Sequence, residues 1–254
     1  MRNLVPPFIV QQFKEKKFRG SFRGYALFID IEGFTGVTDS LNKFGKEGAE
    51  VLSKILLNIF DPLIEIVYLH KGFISTFSGD GFTAVFKEEA GFENLLNVIR
   101  EMKKIFQGKK SQVTKFGRFS LDFGMGVSAG LIEWGIVPFD KYYSYYFKGI
   151  PIVNSVKAEK YSDKENFVID ENLKKAGIKY NDKIKKISSG YYLFNISEKR
   201  KTPSIKKARL KQDTEILKHF ILPAIQTQHY QGEFRDVVSI FIGFKDFPNH
   251  SQLE

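Results

Sequence analysis

The chain has 254 residues, 43% of them hydrophobic and 27% charged, enough to bury a sizeable core in one large domain or one domain with an appendage. It contains no cysteine, which excludes disulfides and thiolate-bound zinc and points to a reducing compartment, and its four histidines lack metal-ligand spacing. The net charge of +10 is concentrated in residues 174–211, which hold 13 Lys/Arg against two acids, Asp182 and Glu198. That run reads as a solvated edge and a basic linker, with an anionic partner as the alternative. The most apolar later stretch, 55–69, is interrupted by Asn58, Asp61, Pro62 and Glu65, so no transmembrane span is expected. Residues 1–7 lack the apolar core of a signal peptide, and the expected location is cytoplasmic.

In chain order, 1–24 read as a peripheral lead-in with a short helix over 11–19. The first core strand covers 25–30, its apolar run 26–29 ending on Asp30. Ile31 and Glu32 lead into Gly33-Phe34-Thr35 and a helix over 35–43. A longer helix covers 46–70, with Ala49, Leu52, Ile55, Leu56, Ile59, Leu63, Ile66 and Val67 at three/four spacing. Pro62 is expected to kink it or start a second helix. Two apolar-aromatic runs flank Ser78-Gly79-Asp80-Gly81, a hairpin signal that puts Asp80 at the tip. An amphipathic helix follows over 88–107, then a basic loop over 108–117. A strand pair is expected over 120–128 and 130–134, its glycines signalling close backbone approach. A strand over 142–147, a helix over 152–161, a strand over 167–170, a short helix over 171–176 and a hairpin of 184–187 with 191–196 complete the run. Residues 198–204 read as a linker and 205–221 as a last helix. The order implies an α+β plan, helices packed on a mostly antiparallel sheet. No Gly-x-Gly-x-x-Gly or Gly-Lys-Ser/Thr phosphate loop is present.

A carboxylate ending a buried strand is costly unless it meets a cation or donors. Gly33 permits a tight turn, and the following helix aims free amides back toward Asp30, the geometry of a metal beside a phosphate. The plainer alternative is a strand-end Asp that caps the helix. If the hairpin packs beside the first strand, Asp80 converges on Asp30. Two carboxylates in a small volume then imply a bound cation or a raised pKa. With no His or Cys nearby, Mg²⁺ or Mn²⁺ fits, in a two-metal site with open positions for phosphates. Independent turn aspartates are the alternative.

Leu27-Phe-Ile-Asp-Ile-Glu-Gly-Phe-Thr35, followed by Ser78-Gly-Asp-Gly-Phe-Thr-Ala-Val-Phe86, resembles the catalytic domains of class III adenylate/guanylate cyclases. Gly126-Val-Ser-Ala-Gly130 and Gly149-Ile-Pro-Ile-Val-Asn-Ser-Val-Lys-Ala-Glu159 are similar to that family's later motifs, and the resemblance covers roughly residues 22–196. It implies a ferredoxin-like cyclase fold acting as a dimer with sites at the interface, which converts ATP or GTP to the 3′,5′-cyclic nucleotide and pyrophosphate. It assigns Asp30, Asp80 and the Ile31 carbonyl to metal, and Gly33, Phe34, Thr35 and Gly79 to substrate. Where the family reads the base with a Lys and an acid, this chain has Thr76 and Tyr146. An ungapped match puts Val153 at the ribose-orienting Asn and Lys157 at the catalytic Arg. A one-residue shift puts Asn154 and Ala158 there instead. The ungapped version is preferred, because Glu159 then also matches.

Keeping the metal carboxylates while losing the complementary groups resembles the first, metal-supplying half of a tandem cyclase of the soluble type and its large bacterial relatives. Residues 234–247 echo the first strand, with Gly243 at the Asp30 position. The expected organisation is therefore a lead-in (1–21), a cyclase homology domain (22–197), a basic linker and helix (198–233), and the first strand of a second cyclase-like domain (234–254). The partners implied are ATP, or GTP, and that second domain in cis or a homodimer. The competing readings are a non-catalytic module that binds nucleotide and regulates a downstream domain, and a nucleic-acid binder using the 174–211 charge.

Overall fold

The computed structural model describes residues 5–163, 166–175, 184–196 and 214–221. The expected linker and the 234–254 strand with Gly243 lie outside the described residues, as does much of the 174–211 run.

Among the described residues the core is an eight-stranded sheet in the order β2 (Phe73–Ser78), β3 (Gly81–Lys87), β1 (Arg19–Glu32), β6 (Asp122–Phe139), β8 (Phe167–Asp170), β10 (Tyr191–Phe194) and β9 (Ile184–Ser188), with β7 (Tyr142–Lys148) paired to β6 off that path. β1 (Arg19–Glu32) lies between β3 (Gly81–Lys87) and β6 (Asp122–Phe139), antiparallel to both. Only β6 and β8 (Phe167–Asp170) pair in parallel among the described strands, across the crossover that carries α5 (Ile150–Glu159). The expected mostly antiparallel α+β sheet is what forms.

Alternation along β1 sets the layers. Tyr25, Leu27, Ile29 and Ile31 enter the main core with residues of α2 (Phe34–Asn42), α3 (Gly45–Leu69) and α4 (Phe92–Gln107). Asp30 belongs to the other set, on the face that α5 crosses. α3 runs as one helix through Pro62 rather than breaking there. Leu57, Asn58 and Asp61 are exposed, so the carbonyl that Pro62 leaves without a donor faces water. The predicted helix over 88–107 is interrupted at Gly91, leaving a 3-10 turn before α4.

Four expectations fail. β1 starts at Arg19, because β6 pairs with it continuously from Arg19↔Gly135 to Glu32↔Asp122. The lead-in helix accordingly lies earlier, at α1 (Pro7–Lys14), opened by its proline. The basic loop is a hairpin, β4 (Ser111–Thr114) with β5 (Gly117–Ser120). It is fastened to α3 and the α2–α3 turn by Lys109 donating to the Asn58 side chain at 2.6 Å and by Phe116 stacking on Phe44 at 3.9 Å. The predicted strand pair over 120–134 is the single strand β6, which passes through Gly130 without turning.

Beyond the main sheet, β6 and β7 (Tyr142–Lys148) form an aromatic arm. α1 and the 214–221 segment pack together on one face of it, around Ile9, Trp134, Ile136, Leu217 and Ile221. The Tyr143 amide donates to the His219 carbonyl at 2.8 Å. Of the helix expected over 205–221, the described part is α7 (Thr214–Leu217). β9 (Ile184–Ser188) and β10 (Tyr191–Phe194) form the expected last hairpin.

Candidate active site

Asp30 sits opposite Gly81 on β3 and Gly124 on β6. The turn between β2 (Phe73–Ser78) and β3 folds back onto the end of β1, where the Ile31 amide donates to the Asp80 carbonyl at 3.3 Å. In an antiparallel strand a residue's N–H and C=O point to the same side, so the Ile31 carbonyl also faces this turn. Gly81 is required by proximity: a Cβ there would lie 2.8 Å from the Asp30 Oδ1 and 2.6 Å from the Ile29 carbonyl oxygen. Burial, then the charges of Asp80 and Glu32, push the Asp30 carboxyl above its usual range. The two predicted carboxylates are therefore close enough to repel.

Gly33 adopts φ 86° at the N-cap of α2, in the left-handed region that favours glycine. No side chain caps this helix, so the first-turn amides of Phe34 and Thr35 are open beside the strand end. Gly33 and Thr35 are exposed and Phe34 is partly buried. Gly79, at φ 61°, has open space where a side chain would stand.

A third carboxylate reaches this corner. α5 crosses β6 so closely that a Cβ on Gly126 would collide with the Ser155 carbonyl and the Glu159 amide. The Glu159 carboxylate then fills the space above Gly124, with the Ser162 Oγ beside it, 2.6 Å from where that Cβ would stand. Burial, then Asp30 and Glu32, raise the Glu159 carboxyl to about 7; Lys160 opposes them and Asp80 adds to them. Sequence reasoning matches Glu159 to the family's later motif but assigns it no site role. The run Gly124-Met-Gly126 was its signal, since two small residues on one strand face mark a crossing helix.

The donor set suits a hard divalent cation: two converging carboxylates, a carbonyl aimed at their turn, and mutual repulsion that a cation would relieve. No group of three or more His, Cys, Asp or Glu residues with metal-holding geometry occurs among the described residues, so the fit rests on Asp30 and Asp80 with the Ile31 carbonyl.

No family model matches the chain. Among curated proteins it is 31% identical over 98 residues to adenylate cyclase type 10 of Mus musculus, covering 36% of this chain and 6% of that protein. The Homo sapiens protein of the same name is 32% identical over 88 residues, covering 34% and 6%. The chain therefore matches only a small part of these relatives. Among solved structures, the guanylyl cyclase Cya2 superposes with a TM-score of 0.57 at 20% identity, over 75% of this chain and 100% of that one. The adenylyl cyclase CyaB from P. aeruginosa gives 0.55 at 20% identity over 73% and 99%. A bacterial light-regulated adenylyl cyclase gives 0.59 at 13% identity over 78% and 60%. The chain carries the fold of adenylyl and guanylyl cyclase domains.

Within this fold, the positions expected to serve a partner lie elsewhere than the carboxylate corner. Val153 is 51% exposed on the outer face of α5, and Lys157, one turn later, is also exposed. Asn154, the alternative under the one-residue shift, is turned inward: its amide donates to Asp170 Oδ2 at 2.8 Å. That carboxylate, 2% exposed, also accepts from Ser128, Asn172 and the Leu173 amide. Asn154 is thus committed to a buried network. Thr76 is exposed on β2, and the Tyr146 ring lies over Gly135, with Lys148 Nζ 5.6 Å from its centroid. No helix among the described residues is long and apolar enough to cross a membrane.

Proposed function

We propose that the cyclase domain is the metal-supplying half of a nucleotide cyclase, acting on ATP in preference to GTP. The observation that carries this reading is the convergence of Asp30 and Asp80 beside the open amides of α2. In this role Asp30, Asp80 and the Ile31 carbonyl hold Mg²⁺ or Mn²⁺. A bound divalent pair would offset charge on the α-phosphate and on the departing pyrophosphate as the 3′-oxygen attacks in line. The Phe34 and Thr35 amides bind phosphate oxygens, Gly33 permits their approach, and Gly79 leaves the hairpin tip open to substrate. Lys157 presents a cation on the outer face of α5.

A second cyclase-like domain would read the base and orient the ribose, because Thr76, Tyr146 and Val153 lack the chemistry for it, and residues 234–254 begin such a domain. ATP is preferred because the curated relatives are named adenylate cyclases.

The test is reconstitution. The purified chain is mixed with a second cyclase-like domain that retains the base-reading and Asn/Arg groups, and cyclic nucleotide is measured from ATP and from GTP with Mg²⁺ or Mn²⁺. Little product is expected from the chain alone, product from the mixture, and none once Asp30→Ala or Asp80→Ala is introduced. Rescue that survives either substitution overturns the assignment.

A further inference from the structure

A groove of about 700 Å³ opens at the other end of β1 from Asp30, where Arg23 and Lys148 meet the start of α5 and the end of α6 (Glu171–Lys175). Six β1 residues separate Arg23 from Asp30, a span of about 23 Å at 3.3 Å per residue. The groove is therefore separate from the carboxylate corner. We propose that it binds a small organic phosphate.

Three cations line it from three different elements: Arg23 on β1, Lys148 on β7 and Lys175 on α6. One carboxylate, Glu133, lines it with them, and Asn172 adds an amide. Arg23 pairs with Glu88 at 3.1 Å and Lys148 with Glu133 at 3.3 Å, but all four side chains are roughly half exposed. Exposed pairs of this kind are worth about 0–1 kcal/mol, so an incoming anion recruits Arg23 and Lys148 at little cost. The positive end of α5 points the same way. Gly149 and Ile150 line the groove, and α5 begins without a side-chain cap. Gly149 stands at φ 138°, and a Cβ on it would lie 2.6 Å from the Leu131 carbonyl oxygen, so only glycine lets the helix begin this close to β6.

The walls are apolar. Leu131 is 50% and Ile150 65% exposed, and both line the groove with Ala129. Three cations against the lining Glu133 and the Glu88 that pairs with Arg23 leave a net positive site among the described residues, which suits an anionic head group, and the arginine fork suits phosphate oxygens. The apolar walls match an organic body of a few carbon atoms. A pocket of this size, with few polar groups on apolar walls, is typical of small-molecule sites.

The experiment is titration calorimetry of the full chain with phenyl phosphate, with phenol and inorganic phosphate as comparisons. Saturable binding of phenyl phosphate is expected, weakening with added salt and exceeding that of either comparison. Arg23→Gln with Lys175→Gln should weaken it at least about tenfold, the effect of losing two charge-assisted contacts. Glu133→Gln removes the lining carboxylate found among the described residues and should tighten binding several-fold, a gain that misfolding cannot mimic. Asp30→Asn and Asp80→Asn should leave it unchanged, which separates this site from the proposed cyclase chemistry. Absence of saturable binding at millimolar phenyl phosphate overturns the proposal. So does binding that the Arg23/Lys175 variant leaves intact, or that the Asp30 or Asp80 variant abolishes.

Discussion

Glu159→Gln should stabilise the domain at pH 8 and leave it nearly unchanged at pH 4. The Glu159 carboxyl is raised from 4.5 to about 7, chiefly by burial and then by Asp30 and Glu32. A carboxyl whose folded value lies above its unfolded one binds its proton more tightly in the fold. It carries no penalty below pH 4.5. The penalty grows as pH rises through 4.5 toward 7 and is fully present above that. At about 1.4 kcal/mol per pH unit, the ceiling is roughly 3 kcal/mol. The side chain is only partly buried, and solvent screening reduces this to about 1–2 kcal/mol. Glutamine keeps the shape over Gly124 and cannot ionise. Thermal melts in EDTA should therefore show the variant a few degrees above the parent at pH 8, since about 1 kcal/mol moves Tm by roughly 2–4 °C at this size. At pH 4, below the unfolded value, the two should melt together to within about 1 °C. Equal melting at pH 8, or a variant less stable at both pH values, would show that Glu159 is not held against Asp30 as described.

In melts at pH 8, Mg²⁺ or Mn²⁺ should stabilise the parent chain and not Asp30→Asn or Asp80→Asn, because relief of the Asp30–Asp80 repulsion needs both carboxylates. Gly126→Ala drives a methyl group into the Ser155 carbonyl and should cost about 1–3 kcal/mol or more in urea unfolding. Asp170→Ala strands the donors of Ser128, Asn154, Asn172 and Leu173 and should cost about 3 kcal/mol by the same measure. Phe13 and Phe220 pack edge to face with ring centroids 5.2 Å apart, so a double-mutant cycle to alanine should give a coupling of about 0.5–1.5 kcal/mol.

The hairpin carrying Asp80 was legible because Gly79, Asp80 and Gly81 interrupt two alternating aromatic runs. α3 was legible because its apolar stripe repeats over several turns. The hairpin β4–β5 was not. Its strands are four residues long, it sits on α2 and α3 rather than in the main sheet, and only Gln112 among its residues is buried. β6 was divided at Gly130 because a glycine after an apolar run reads as a turn. Here that glycine makes room for Pro151, whose Cγ would stand 3.2 Å from a Cβ. Asp30 was conspicuous in the local sequence as a charge ending an apolar strand, but its metal role was expected only once Asp80 and the family resemblance were added. Glu159 was not, because its meaning depends on how α5 crosses β6 and so brings the side chain to Asp30, which stands 129 positions earlier in the chain.

The pairing of α1 with the 214–221 segment bears on how the polypeptide matures on the ribosome. The arm is complete once Lys148 has been made, yet Phe220 and Ile221, which help cover its aromatic face, come 72 and 73 residues later. At typical synthesis rates that interval is roughly 4–15 s. Throughout it, of the two described segments that cover this face of the arm, only α1 has been made. A nascent chain paused in that window presents an aromatic surface to chaperones and to neighbouring chains, and a truncation placed before residue 214 would make that passing exposure permanent.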